Sequence, residues 1–270
     1  MHIKVKQFSL RKIVLTILLI AMLLLSCLAG ILLVSTNQNR NLVNQYVSET
    51  VELYVSQLQK EMDVMRVELI NILESNEATN ELPDYFNSES SQVFPILKKI
   101  SEQLRIQAIW HDSVYGYYEY IGTSNALITS TGTKFSKSVK ASTERFLMVY
   151  LSANMTRRQN SLYHEFIKIE DQMYLLTWYM KGQKIAGNLI PLQRIFEDLE
   201  NCTKGYTILP YIYDTDNEDN IFPQNVSEEE IKDFEQGTVK QANVYRYAIS
   251  GLGDLCIYVV PGNGVLQAAN

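Results

Sequence analysis

MYLLTWYMKGQKIAGNLIPLQRIF (173–196) changes its period twice. Together with Gln172, its first part is an aromatic and apolar run that predicts a strand over 172–180. Lys181-Gly182-Gln183 reads as a turn, and 184–190 as a second strand. Pro191 then opens a helix over 191–200, in a first turn where no amide donor is needed. A hairpin closed by a helix is a unit of α+β architecture, in which helices pack on one side of an antiparallel sheet.

Working upstream, Glu170-Asp171 separates this hairpin from a further strand, 164–169. Residues 142–153 form an amphipathic helix. VYGYYEYI (114–121) and ALITS (126–130) make another hairpin across Gly122–Asn125. A short helix is expected over 92–103, after a polar loop from Asn76 to Ser91. Downstream the pattern repeats in shorter form. YTILPYIYD (206–214) is a strand, Thr215–Asn220 an acidic turn, and 221–223 a short strand. Ser227 is an N-cap followed by Glu228, Glu229 and Glu230. Residues 244–250 and 255–260 form a last hairpin across Gly251–Asp254.

The N-terminal part has another character. IVLTILLIAMLLLSCLAGILLV (13–34) carries no charge. At about 1.5 Å per residue it can cross a hydrocarbon core of roughly 30 Å, so a membrane-spanning helix is expected over 13–35. Lys4, Lys6, Arg11 and Lys12 precede it without an acid, which places the basic tail 1–12 in the cytoplasm and 36–270 outside. A cleaved signal peptide would have a shorter apolar core. Leu24-Leu25-Ser26-Cys27 loosely resembles a lipobox, but the apolar run continues through Leu28, Ile31, Leu32 and Val34. Beyond it, Val43, Val47, Val51, Tyr54, Leu58, Met62, Met65, Leu69 and Ile72 follow one another in steps of three and four. That is one stripe of a long helix, expected from Arg40 to about Ser75.

Of the 24 Lys and Arg, four precede the span, whereas all 30 Asp and Glu follow it. The outer part is therefore more acidic than the whole-chain net charge of −6, which argues against nucleic acid as a partner. Outside the span lie two cysteines, Cys202 and Cys256. They either pair in an oxidising compartment or stay reduced as small buried side chains. Enzyme signatures are missing. The three histidines, His2, His111 and His164, form no zinc motif, and no Gly-x-Ser-x-Gly or phosphate-cradling glycine loop occurs. Ser9-x-x-Lys12 sits on the cytoplasmic side. Asp214, Asp216, Glu218 and Asp219 faintly suggest a calcium loop, but the sixth position is not Gly and the twelfth is Asn225, so a solvated hairpin turn is expected. The expectation is a protein without enzymatic activity, cofactor or metal.

Four stretches together resemble the double Cache (dCache) sensor domain of bacterial receptors, with one long membrane-emergent helix and two PAS-like modules. They are VYGYYEYIGTSNALITSTG (114–132), MYLLTWYMKGQKIAGNLIPLQRIF (173–196), GYTILPYIYDTDNEDNIF (205–222) and YAISGLGDLCIYVVP (247–261). The resemblance covers 36–262 and is closest to the sensors of histidine kinases and of membrane-anchored AraC-type regulators. It implies a spine helix over 36–76, a membrane-distal module over 77–200, a proximal module over 201–262 and a tail over 263–270. It also implies a ligand in the distal module, between the sheet and its covering helix and loops.

Candidate residues follow from spacing on those strands. Tyr118 and Tyr120 share one strand face, as do Tyr174 and Trp178, while Tyr179 points the other way. Such aromatic walls suit small molecules; the alternative for each is ordinary core packing. Trp110 and His111-Asp112 precede the first distal strand, where a loop could cap a pocket. The amino-acid-binding branch of the family carries Arg-x-Trp-Tyr and an Asp. Here Trp178-Tyr179 is present, but Leu176 stands at the Arg position. Arg145, Arg157 and Arg158 lie near the expected region without that spacing. The expected partners are a small molecule, or a binding protein carrying one, and a second copy in a parallel homodimer. Family members return through a second membrane helix to a cytoplasmic output. PGNGVLQAAN (261–270) does not begin such a helix, which leaves open a stand-alone, membrane-anchored binding or accessory protein of the envelope.

Overall fold

The apolar run and the stripe form a single helix, α1 (Leu10–Glu74, 65 residues). The computed structural model describes residues 10–83, 85–86, 92–111, 113–131, 137–202, 206–223, 226–229, 232 and 243–261. The first nine residues, Asp112 and the tail 263–270 lie outside the described residues. Between Val14 and Val34 the apolar side chains of α1 are exposed, and this part is long and apolar enough to cross a membrane. From Val47 the stripe turns inward, and Val47, Val51, Val55, Leu58, Met62, Met65, Leu69 and Ile72 are all buried.

Two antiparallel sheets rest on that stripe. The first contains β1 (Gly116–Ile121), β2 (Ala126–Thr131), β3 (Ser161–Ile169), β4 (Gln172–Lys181) and β5 (Lys184–Pro191), in the order β2-β1-β5-β4-β3. The second contains β6 (Tyr206–Asp214), β7 (Asp219–Ile221), β8 (Asn243–Ile249) and β9 (Gly253–Pro261), in the order β7-β6-β9-β8. Between and around them lie α2 (Glu77–Glu81), α3 (Phe94–Trp110), α4 (Lys137–Asn154) and α5 (Leu192–Cys202). The expected α+β layout of a long N-terminal helix and two antiparallel sheets is present.

Several boundaries differ for physical reasons. The helix expected over 92–103 continues to Trp110, because Ile100, Leu104 and Ala108 extend its buried face at four-residue spacing. The helix expected from 142 begins at Lys137. The polar loop after α1 contains α2, whose N-cap Asn76 accepts a hydrogen bond from the Ala78 amide (3.0 Å). Pro191 ends β5, paired with Tyr174, and the helix starts one residue later. The short strand β7 lies two residues earlier than expected.

Helices were expected on one side of each sheet, yet the first sheet is covered on both faces. α1 and α3 pack on one face and α4 lies over the other. The sequence of β1 shows why: every residue in it is buried, with none of the alternation of a half-exposed strand. On the α1 side, polar ties add to the apolar stripe. Tyr117 Oη donates to Glu68 (2.9 Å), Tyr179 Oη to Glu74 (3.0 Å), and Lys181 pairs with Glu74. Burying one Val, Leu or Met is worth about 1.5–3 kcal/mol, against about 0.5–1.5 for a typical hydrogen bond. The stripe therefore holds the helix on the sheets, and the polar ties fix its register.

Candidate functional site

Strand alternation sends Tyr118, Tyr120, Tyr174, Leu176, Trp178 and Leu189 to the face under α4, where they form one buried cluster with Leu147 and Leu151 of that helix. Register then builds a row across all five strands. Thr129 stands opposite Tyr118, Tyr118 opposite Gly187, Gly187 opposite Trp178, and Trp178 opposite Tyr163. Gly187 allows the row to close, since a Cβ there would lie 2.1 Å from Tyr118 Oη. At the edge strand Tyr163 stacks on Trp178, with centroids 4.2 Å apart and planes at 23°. The Arg157 guanidinium sits 5.2 Å from the Tyr163 centroid and 5.5 Å from that of Trp178, and it pairs with Glu165.

The centre of this row is electrostatically unfinished. Tyr118 is 1% and Trp178 0% exposed, and neither Tyr118 Oη nor Trp178 Nε1 has a hydrogen-bond partner. Burial raises the Tyr118 hydroxyl well above its usual pKa, so it stays a neutral donor. A buried donor without a partner costs about 1–3 kcal/mol. Tyr118 Oη lies against Gly187, and Trp178 is the cross-strand neighbour of that glycine. Nearby, Tyr115, Tyr118, Thr129, Thr143, Glu144 and Leu147 line a cavity of about 10 Å³, room for about one water. Glu144 closes that end by accepting a hydrogen bond from Thr129 Oγ1. The arrangement offers aromatic walls, hydroxyl and indole donors, and one carboxylate.

Of the six residues singled out in the sequence, the structure brings four together on this face: Tyr118, Tyr120, Tyr174 and Trp178. Tyr120 and Tyr174 already donate within the chain, to Asn125 (3.0 Å) and Gln172 (2.9 Å). The other two fall outside. Trp110 is not in a capping loop; it ends α3 and is 77% exposed. Its neighbour His111 lies on the opposite side of the sheet, with Nε2 2.8 Å from Glu68 of α1. Hydrogen bonds to Glu61 and Glu68 push the His111 pKa up to about 9. Arg145 is on α4 but exposed, since Thr143, Leu147 and Leu151 form the inward face of that helix.

The pairing of Cys202 with Cys256 is not formed. Both thiols are free, Cys202 exposed and Cys256 buried. Alternation explains it: Leu255 and Ile257 join the core shared with α1, whereas Cys256 faces the other way, toward Tyr211 and Tyr258. Asp214 is spent on its own turn, accepting from the Asp216 and Asn217 amides (3.0 and 3.3 Å) and from Asn217 Nδ2 (2.7 Å). Among the described residues, no group of three or more His, Cys, Asp or Glu converges as metal ligands would. Tyr163, Gly187, Thr129 and Glu144 were not singled out in the sequence. Their signal is cross-strand register, which a single strand's spacing does not carry.

No protein-family model matches the chain, and no curated protein matches it in sequence. Solved structures similar in fold include the domain of a protein described as of the sensory box/GGDEF family, from Vibrio parahaemolyticus. It has 9% identity and a TM-score of 0.45, covering 82% of this chain and 99% of that one. The sensory domain of the Campylobacter jejuni chemoreceptor Tlp3, with isoleucine bound, has 12% identity and a TM-score of 0.40, covering 87% and 96%. The extracellular domain of a protein described as a histidine kinase has 9% identity and a TM-score of 0.38, covering 82% and 95%.

Proposed function

We propose that this chain is the extracytoplasmic ligand-sensing region of a membrane-anchored signal-transduction receptor. A small molecule binds under α4, on the face carrying Tyr118, Gly187 and Trp178. The observation that carries this reading is a pair of buried donors without hydrogen-bond partners, Tyr118 Oη against Gly187 and Trp178 Nε1 on the strand residue opposite it. A ligand oxygen accepting from both would relieve about 2–6 kcal/mol of unmet hydrogen bonding. The cavity beside Thr143 and Glu144 holds about 10 Å³, so α4 must lift to admit such a ligand. Because α1 continues from the apolar span into the sheet-bearing stripe, displacement of the sheet is delivered directly to the membrane.

The receptor acts as a parallel homodimer. Leu42, Tyr46, Leu53, Val64 and Val67 are exposed on α1, and at 100° per residue they lie opposite the buried stripe. A second α1 emerging from the same membrane presents the same seam. The basic residues ahead of the span support a position of the sheets outside the cytoplasm.

The test is a thermal-shift screen of the full chain in detergent micelles against amino acids, organic acids, amines and sugars. A stabilising compound should lose its effect in Tyr118→Phe, which removes one donor and leaves the packing. Stabilisation unchanged in that variant would place the ligand elsewhere.

A further inference from the structure

A cavity of about 1070 Å³ lies away from α4, between the two sheets. Its floor is edge strand β3, its far wall the turns after β6 and β8, and its back the helix α1. One side chain of α1 reaches both sheets there. Arg66 Nη2 donates to Ser250 Oγ (2.8 Å), just after β8, and lies 3.2 Å from His164 Nε2 on β3. Its other terminal nitrogen is held by Asp63, one turn back (3.2 Å).

The chemistry of that contact is constrained. A guanidinium only donates, so His164 Nε2 must accept, and its proton must sit on Nδ1. That nitrogen is 3.1 Å from Thr177 Oγ1, which takes the bond. The tautomer is therefore set by Arg66 on one side and Thr177 on the other. The imidazole is neutral, held low at a pKa of about 4 by burial and by the Arg66 charge. The contact is also sterically tight. Gly251 (φ +85°) presses against the ring, and a Cβ there would lie 2.8 Å from it. The turn after β8 cannot move toward β3, nor β3 toward the turn, without displacing His164.

His164 and Thr177 are cross-strand partners, and the next pair along is Tyr163 and Trp178. Adjacent residues of a strand point to opposite faces. The Tyr163–Trp178 stack thus belongs to the face under α4, while the His164–Thr177 pair belongs to the junction, one peptide away in each strand.

We infer that Arg66 is a coupling residue: it ties the Tyr163–Trp178 end of the site under α4, through His164 and Thr177, to the second sheet and the spine helix. Loss of the contact to His164 would free β3 and the turn after β8 from each other. The inference builds on the sensing role proposed above, but its test needs no ligand, so the two can fail separately.

The chain has two tryptophans, and Trp110 is exposed outside the site. Trp110→Phe leaves Trp178 as the sole reporter in the full chain in micelles. In that background Arg66→Met should raise acrylamide quenching of Trp178 roughly fivefold, the effect of about 1 kcal/mol of coupling on an opening equilibrium. Amide exchange should rise together in β3 and in 250–254. Ser250→Ala, an exposed and mild change, should move Trp178 in the same direction by less, and Arg66→Lys should restore part of the protection. Faster exchange at 250–254 with Trp178 quenching unchanged in both Arg66→Met and Ser250→Ala would make Arg66 a local tie and overturn the inference. Should ligand screens fail while Trp178 still responds, the coupling stands and the sensing reading falls.

Discussion

Replacing Glu119 should make the protein more stable at pH 8 and not at pH 4. Glu119 lies on the α1 side of β1 with no exposed surface. Its Oε2 accepts from Thr79 Oγ1 of α2 (3.0 Å), and its Oε1 has no partner. Lys184 is close enough to favour the charged form, but its ammonium is engaged with the carbonyls of Thr79 (2.8 Å) and Leu82 (3.2 Å). Burial wins over both, and the carboxyl pKa rises from 4.5 to about 7. A carboxyl raised on folding contributes its stability below the unfolded value, and that contribution is lost as pH climbs from 4.5 through about 7. At about 1.4 kcal/mol per pKa unit the loss is somewhat over ~3 kcal/mol by pH 8. Glu119→Gln keeps the shape and the acceptor for Thr79 and removes the titration. Its amide carries an extra unmet donor, which takes back about 1 kcal/mol. The expected net gain is about 2 kcal/mol at pH 8, with no gain or a small loss at pH 4. Urea denaturation of wild type and variant at pH 4, 6 and 8 measures it. A difference between the two proteins that does not change with pH would refute the reasoning.

Other outcomes follow from named contacts. Gly187→Ala forces a methyl group against Tyr118 Oη and should cost about 1–3 kcal/mol by overpacking, read by the same denaturation. His111 is raised on folding from 6.5 to about 9, so its clamp on Glu61 and Glu68 is fully present below pH 6.5 and fades as pH passes 9. His111→Gln should therefore be destabilised at pH 6 and close to wild type at pH 10. Leu53→Lys on the exposed seam of α1 should lower the dimer fraction seen by analytical ultracentrifugation in micelles without changing the circular dichroism. A thiol reagent should label Cys202 in the native protein and reach Cys256 only on unfolding, and reductant should leave the melting point unchanged.

How much was legible in the sequence depends on the range of the interaction. Strand alternation and helical stripes are local, so Tyr118 with Tyr120, Tyr174 with Trp178, and Val47 through Ile72 could be placed on their faces from spacing alone. That both aromatic pairs share one face, with Gly187 between them, depends on which strands are neighbours. β1 pairs with β5, far along the chain, and no local pattern says so. Trp110 is expected in a loop because the helix is expected to end at 103, whereas Leu104 and Ala108 pack inward and carry α3 on to Trp110. Arg145 drew attention by its charge near an expected pocket, but Thr143, Leu147 and Leu151 take the inward face of α4 and turn it outward. The Arg66 junction was invisible for the same reason as the row: its parts lie on α1, β3 and the turn after β8.

The proposed ligand completes the buried donors Tyr118 Oη and Trp178 Nε1. Calorimetric titration of a compound found by the thermal screen, into full-length wild type and Tyr118→Phe in micelles, tests it most directly. Saturable binding to wild type should weaken roughly tenfold in the variant, the loss of one buried hydrogen bond of about 1.5 kcal/mol. Equal affinity for both proteins would contradict it.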